Sequence, residues 1–142
     1  SIVVIALSGA IEEAIDYTKA YVELEHTLTV PQILSELGVD LGTRRIYRPL
    51  GDFMTYLNQK RFKVIELRRR YIECFVRGWS GEYRVVVDLR RYHYYCSCPH
   101  ARIRRVLCKH VLLALELYCH LRQEIGDVVD FLREYLNRIV EW

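Results

Sequence analysis

The sequence lacks the long apolar runs that carry a chain across a membrane. Its first apolar stretch, residues 2–7, is six residues long, whereas a membrane-spanning helix needs about 20. No basic leader precedes this stretch, no small-residue cleavage site follows it, and Glu12 and Glu13 come soon after, so a secretory signal is not predicted. We expect an intracellular protein that makes no membrane contact, cytoplasmic in a prokaryote and nuclear in a eukaryote.

Motifs of catalysis are missing as well. The chain has no paired carboxylates in a motif, no phosphate-binding loop and no nucleophile elbow, and it lacks the H-x-E and P-C-x-x-C signatures of zinc deaminases. No internal repeat, low-complexity tract or linker divides its 142 residues, a length typical of one domain. We expect a non-enzymatic single domain at 1–142, with a helical N-terminal part at 1–62, a core at 63–125 and a C-terminal helix at 126–142.

Cysteine is infrequent, but its placement is specific. Three of the five cysteines and one histidine form the pattern C-x-C, nine residues, C-x-H: Cys96, Cys98, Cys108 and His110. Three thiolates and one imidazole are a complete ligand set for tetrahedral Zn²⁺ and leave no open position for a substrate. In a strand, Cys96 and Cys98 point to the same face. Because two residues of a helix are about 200° apart, we expect Cys108 just before a helix and His110 in its first turn.

Other uses of these residues remain possible from the sequence. A disulfide is disfavoured because Cys96 and Cys98 are close in sequence and the expected compartment is reducing. A catalytic Cys–His pair would leave two cysteines without a role. His100 could replace one ligand, but Cys108 and His110 would then have no function. Structural zinc is the interpretation that uses all four residues.

Hydrophobic periodicity predicts an α+β fold. Apolar residues at spacings of three and four indicate N-terminal helices, and alternation with period two then indicates a four-stranded antiparallel β-meander. A zinc knuckle joins the meander to two C-terminal helices. Thr29 and Asp127 are the predicted N-caps, and Gly126 is the predicted end of the longer C-terminal helix. The helices are predicted at 2–24, 30–37, 51–61, from the second ligand pair to 125, and after 127; the strands are predicted at 63–67, 71–78, 82–88 and 92–96.

The helix that follows the second ligand pair carries a polar stripe. Besides Leu113, this stripe contains Lys109, Glu116, His120 and Gln123. We predict that the stripe faces solvent, with Leu113 either an isolated exposed leucine or a contact for a partner. Most of the apolar face of the last helix is predicted to be core, with a groove for a dimer or another partner as the alternative. Cys74 shares a strand face with apolar residues, which predicts a buried and unreactive thiol.

Basic charge is concentrated in the middle of the chain. Residues 60–109 hold fourteen Lys and Arg against four Asp and Glu, a net charge of +10, whereas the whole chain carries +3. Such a concentration is typical of proteins that bind nucleic acid or another polyanion. The alternative is a solvated sheet face whose arginines pair with acidic flanking helices. The candidates for phosphate contacts are Arg90, Arg91, Arg102, Arg104 and Arg105.

The motif and its surroundings resemble the SWIM-type zinc finger family. The strings YHYYCSCP at 92–99 and LCKH at 107–110 are similar to the small, single-domain SWIM proteins of the Shu-complex type. The resemblance implies that the cysteines and histidine of the motif bind Zn²⁺. It also implies association with a RecA-family recombinase paralogue in homologous recombination. That subgroup carries alanine three residues after the ligand histidine, where this chain has Leu113.

Two functions are expected on this basis. The first is a zinc-stabilised accessory or adaptor protein for DNA recombination and repair, which binds a recombinase paralogue and presents basic surface to single- or double-stranded DNA. The second is a free-standing SWIM nucleic-acid-binding protein, regulatory or transposon-related, without a recombinase partner. Phosphate contacts by the arginines predict an affinity for DNA that falls steeply with salt.

Overall fold

The computed structural model of the protein describes residues 2–7, 10–16, 28–104 and 106–140. An antiparallel pair of strands, β1 (Ile2–Leu7) and β2 (Ala10–Asp16), comes first. Two helices follow, α1 (Thr29–Glu36) and α2 (Arg44–Asn58). The remaining elements are β3 (Phe62–Arg68), β4 (Tyr71–Arg77), β5 (Glu82–Asp88), β6 (His93–Cys96), a π-helical turn (His100–Arg104), α3 (Lys109–Arg122), α4 (Ile125–Glu134) and α5 (Leu136–Val140).

Strands β3 to β6 form one antiparallel sheet in sequence order, which confirms the predicted meander and the α+β class. Alternate residues of β4 and β5 are buried, as a sheet with one face on the core requires. Cys74 lies on the buried face and is fully enclosed. Burial raises the pKa of its thiol, so this cysteine is the unreactive core residue that the sequence predicts.

Helix α3 lies at the centre of the protein. It packs against β4, β5 and β6 and against α1, α2 and α4, and every residue from His110 to Cys119 is buried. A helix that is buried on all sides is a core element and not an amphipathic surface helix. The prediction of an exposed stripe is therefore wrong: Leu113 and Glu116 are both 0% exposed, because α1 covers this side of α3.

The carboxylate of Glu116 caps the start of α1. Its oxygens accept hydrogen bonds from the backbone N–H groups of Thr29 and Val30 at 2.9 and 2.7 Å, and His120 Nε2 lies 2.7 Å from the same carboxylate. The first N–H groups of a helix have no partner within the helix, and the helix dipole favours an anion there. Thr29, the predicted N-cap, is instead the first helical residue, and no side chain at the N-cap position caps α1.

The predicted helix at 2–24 is wrong wherever the structure describes it. The chain forms β1 and β2 instead, paired with Ile2 opposite Asp16. Residues 2–5 are all β-branched, and such side chains lose rotamer freedom in a helix but pack well on a strand. The end of the predicted helix, 17–24, lies outside the described residues.

Further helix boundaries differ from the prediction, and the predicted last helix is two helices, α4 and α5. Helix α2 begins at Arg44 and continues through Pro49, although an interior proline removes one backbone hydrogen bond. Apolar residues on both sides of this proline are buried and hold the helix together: Ile46, Leu50, Phe53 and Leu57. Helix α3 ends at Arg122, and its C-cap, Gln123, has a left-handed φ of 59°. The predicted stop, Gly126, lies within α4, and the predicted N-cap, Asp127, lies in the first turn of α4 instead.

Candidate metal centre

The four predicted ligands converge where the end of β6 meets the start of α3. Cys96 is the last residue of β6, and Cys98 follows two residues later. Cys108 is the N-cap of α3, and His110 lies in its first turn, as the spacing predicts. The ligand atoms of these residues all lie within 4.8 Å of one another, and all four residues are buried. The structure thus assembles the Cys₃His set from two separate elements.

The donor set fits a tetrahedral zinc ion. Cys96 Sγ lies 3.8 Å from His110 Nδ1, and tetrahedral Zn²⁺ with bond lengths of about 2.0–2.3 Å separates its ligands by roughly 3.5–3.8 Å. All five cysteines lie in the part of the chain that the structure describes, and all are free thiols, so no disulfide competes for the ligands. Four protein ligands complete the coordination of Zn²⁺ and suit a site that holds structure.

The thiols of the metal-free cluster differ in their pKa values. Burial raises the pKa of Cys108 well above its ordinary value. A hydrogen bond with Cys108 lowers the pKa of Cys98, whose sulfur also accepts the Ala101 N–H at 3.4 Å. The bond with Cys108 lowers the pKa of Cys96 too, but the bond with Cys98 and burial outweigh it and raise that pKa to about 12. Zn²⁺ would therefore displace protons from Cys96 and Cys108 on binding.

Aromatic rings hold the imidazole of His110 in place. The ring of Tyr56 stacks on it with 5.8 Å between centroids and 4° between planes, and the Tyr83 centroid lies 4.9 Å away. Nδ1 faces Cys96, whereas the buried Nε2 has no hydrogen-bond partner among the described residues. Gly78 lies against Nε2, and a Cβ there would be 3.1 Å from it. Stacking thus replaces the hydrogen bond that usually orients a metal-binding histidine.

Hydrogen bonds among Lys109, Asp52 and Trp79 form a polar bridge next to His110. Lys109 Nζ contacts Asp52 at 2.6 Å, and Trp79 Nε1 donates to the same carboxylate at 3.2 Å. The guanidinium of Arg61 lies over the Trp79 ring at 4.6 Å. Burial alone would raise the pKa of Asp52, but the hydrogen bonds from Lys109 and Trp79 lower it below its ordinary value. The bridge ties α2 and the β4–β5 turn to the start of α3.

The candidate phosphate-binding arginines lie in two places. Arg90 and Arg91 are exposed in the turn between β5 and β6, at the opposite end of β6 from Cys96. Arg102 is exposed in the π-helical turn that follows the first ligand pair. Two of the candidates lie outside the described residues: Arg105 and the side chain of Arg104. The structure brings Arg90 and Arg91 together and places Arg102 in a separate loop, and their contact with phosphate stays a prediction.

Part of the central basic charge is already paired. Arg84 contacts Glu73 between β5 and β4 at 2.6 Å. Arg70 contacts Asp127 of α4 at 3.5 Å. The pair of Arg70 with Asp127 follows the alternative to polyanion binding, in which arginines pair with acidic flanking helices. The pair of Arg84 lies within the sheet instead.

Arg69 is a further exposed arginine that the sequence analysis missed. It lies in the turn between β3 and β4. The N–H of Leu89 donates to the carbonyl of Arg70 at 2.9 Å, which ties this turn to the one that holds Arg90 and Arg91. No ion pair within the described residues engages Arg69, Arg90 or Arg91. The order of a meander could have revealed this group, because its first and third turns lie at the same end of the sheet.

Two features away from the cluster, Cys119 and the apolar face of α4, belong to the core. Cys119 is buried, and burial raises the pKa of its thiol. The apolar face of α4 packs inward through Val128, Phe131 and Leu132. Among the described residues, none of the helices combines the length and the apolar character that crossing a membrane requires.

Comparison with known proteins bears on the segment around the cluster. A family model described as SWIM zinc finger matches residues 83–119, which run from β5 into α3 and contain all four cluster residues. No curated protein and no solved structure matches the chain. Residues 83–119 are therefore similar to a SWIM zinc finger, and their Cys₃His cluster is consistent with zinc binding.

Proposed function

We propose that this protein is a zinc-stabilised, non-enzymatic accessory protein of DNA recombination and repair, which binds a RecA-family recombinase paralogue and DNA. One observation carries the proposal: a complete four-ligand cluster lies within a segment similar to SWIM zinc fingers. Four protein ligands leave no position for a substrate. The likeness of the sequence around the cluster to the small SWIM proteins that accompany recombinase paralogues supports the choice of partner.

Bound zinc would join the sheet to the central helix. Cys96 and Cys98 would hold it from the end of β6, and Cys108 and His110 from the start of α3. Three thiolates and Zn²⁺ leave a net negative charge, which the N-terminus of a helix stabilises through its unpaired N–H groups and dipole. The metal would thus fix the start of the loop that carries Arg102, which follows the first ligand pair.

Recovery of a recombinase paralogue tests the proposed partner. We expect the tagged, zinc-loaded full chain to recover a RecA-family ATPase from its native cells, identified by mass spectrometry. The matched control is Cys108→Ser with the same tag, which disrupts the cluster and is expected to recover less of that partner. A zinc-loaded sample without any RecA-family protein would contradict the proposal, even if it captured other proteins.

A free-standing nucleic-acid-binding protein is the second candidate, favoured by the three exposed arginines at one end of the sheet. The isolated protein is expected to bind a DNA duplex more weakly as salt rises, because each phosphate contact releases counterions. The double variant Arg90→Ala/Arg91→Ala is expected to reduce the slope of log K against log salt by about 2. Fluorescence anisotropy between about 50 and 200 mM salt measures this slope.

Arg84 provides the control for that measurement. Its guanidinium already contacts Glu73 at 2.6 Å, so Arg84→Ala is expected to leave the slope unchanged. Equal slopes for the wild type and the double variant would exclude Arg90 and Arg91 from the DNA contact.

A further inference from the structure

The loop between the two ligand pairs exposes an isoleucine among positive charges. Residues 99–107 contain three arginines and no acidic residue. Ile103 is 79% exposed, the highest value among the exposed large apolar side chains of the described residues. Its neighbour Arg102 is exposed as well. A branched aliphatic side chain that is exposed beside a cation is placed for contact with another molecule.

Both ends of this loop are fixed to the protein. At one end, the N–H of Arg102 donates to the carbonyl of Cys98 at 3.2 Å. At the other end, Val106 is 2% exposed, and its carbonyl accepts the Tyr94 hydroxyl at 3.3 Å. The loop therefore buries the apolar residue at its far end while it holds Ile103 outward.

We propose that this loop is a wedge for duplex DNA: Ile103 inserts between two base pairs from the minor groove, while its exposed neighbour Arg102 contacts a phosphate. Proteins that kink DNA insert aliphatic side chains between base steps in this way and use basic side chains in the adjacent minor groove. The inference rests on the proposed function, because it takes DNA as the polyanion.

Charge favours DNA over the other surfaces that an exposed isoleucine could meet. Three arginines without an acidic residue attract a phosphate backbone. Insertion into a bilayer depends on a large apolar area, whereas Ile103 is a single side chain. An apolar pocket of a protein partner would not require the cations. A shallow depression beside Ile103, lined by Ser97, Pro99 and Arg102, offers space for a sugar–phosphate strand next to the inserted side chain.

The fluorescence of 2-aminopurine in an A·T-rich duplex tests this insertion, because the base analogue brightens when its neighbour unstacks. We expect the zinc-loaded full chain to raise the fluorescence on binding. Ile103→Ser is expected to abolish the rise and to weaken binding about tenfold, whereas Ile103→Leu keeps an aliphatic wedge and retains both. Zinc content and melting temperature should match the wild type in each variant, because Ile103 is not part of the core.

Ile125→Ser is the matched control, since Ile125 is also exposed, at 43%, and it should behave as the wild type. Three results would overturn the wedge. The wild-type protein does not bind the duplex at low salt, it binds without a rise in 2-aminopurine fluorescence, or Ile103→Ser produces the same rise. The wedge would also be overturned if the wild type bound phosphatidylserine vesicles and Ile103→Ser abolished that binding but left DNA binding unchanged. Recovery of a recombinase paralogue by Ile103→Ser should equal that by the wild type, so failure of the wedge is distinguishable from failure of the proposed function.

Discussion

Cys108→Ser is expected to lower the melting temperature by about 10–20 °C and to abolish stoichiometric zinc binding. Cys108 is the buried N-cap of α3 and one of two ligands on the helix side of the cluster. Structural zinc contributes roughly 10–16 kcal/mol of apparent binding free energy, and a whole domain has a net stability of about 5–15 kcal/mol. The loss of one ligand therefore affects the fold as a whole. Thermal unfolding followed by circular dichroism, with zinc measured by elemental analysis, checks both effects.

The matched control for this variant is Cys119→Ala. Cys119 is a buried thiol on the same helix, 3% exposed and outside the cluster. Its truncation removes a single sulfur atom from the core, so we expect a smaller fall in melting temperature and full zinc content. If metal-free wild-type protein kept the melting temperature and the spectrum of the zinc-loaded form, the structural role of zinc would be refuted.

Glu116→Ala is expected to reduce the free energy of unfolding by about 3–5 kcal/mol. The substitution leaves the backbone N–H groups of Thr29 and Val30 without their acceptor, removes the contact with His120, and opens a cavity between α1 and α3. Glu116→Gln keeps the volume and one acceptor oxygen, so its effect should be intermediate. Urea unfolding of the zinc-loaded protein measures these differences.

Glu134→Ala serves as the control for Glu116. Glu134 is an exposed glutamate at the end of α4, and surface substitutions of this kind change stability by less than about 0.5 kcal/mol. If Glu116→Ala reduced the free energy of unfolding as little as Glu134→Ala does, the Glu116 carboxylate would not be needed to cap the start of α1.

The meander and the cluster were predictable because both follow from local geometry. Alternation with period two placed β3 to β6 to within one residue at each end. The C-x-C spacing suits a strand, and the C-x-H spacing suits the entry to a helix. The structure places Cys96 and Cys108 at those two positions. A residue pattern of this kind constrains position without information about the rest of the fold.

The errors arose where distant contacts decide the environment of a residue. The helical stripe with Glu116 and Leu113 was predicted to face solvent, because the sequence does not show that α1 covers it. The hydrogen bond from the N–H of Thr29 to Glu116 joins residues that are 87 positions apart. The apolar spacing at the N-terminus fits a helix as well as a strand, and only the pairing of β1 with β2 decides between the two. Arg69 was missed because its partners in the basic group come from another turn.

The burial of α3 has a consequence for the autonomy of residues 83–119, the segment that is similar to a SWIM zinc finger. The buried residues form one continuous cluster from Val30 in α1 to Leu132 in α4, and α3 lies at its centre. Excision of residues 83–119 would bare Leu113 to water and strip the Glu116 carboxylate of its partners. In this chain the segment is therefore not a transplantable module but the interior of a larger unit. A graft onto another protein would have to bring α1, α2, β4 and α4 with it.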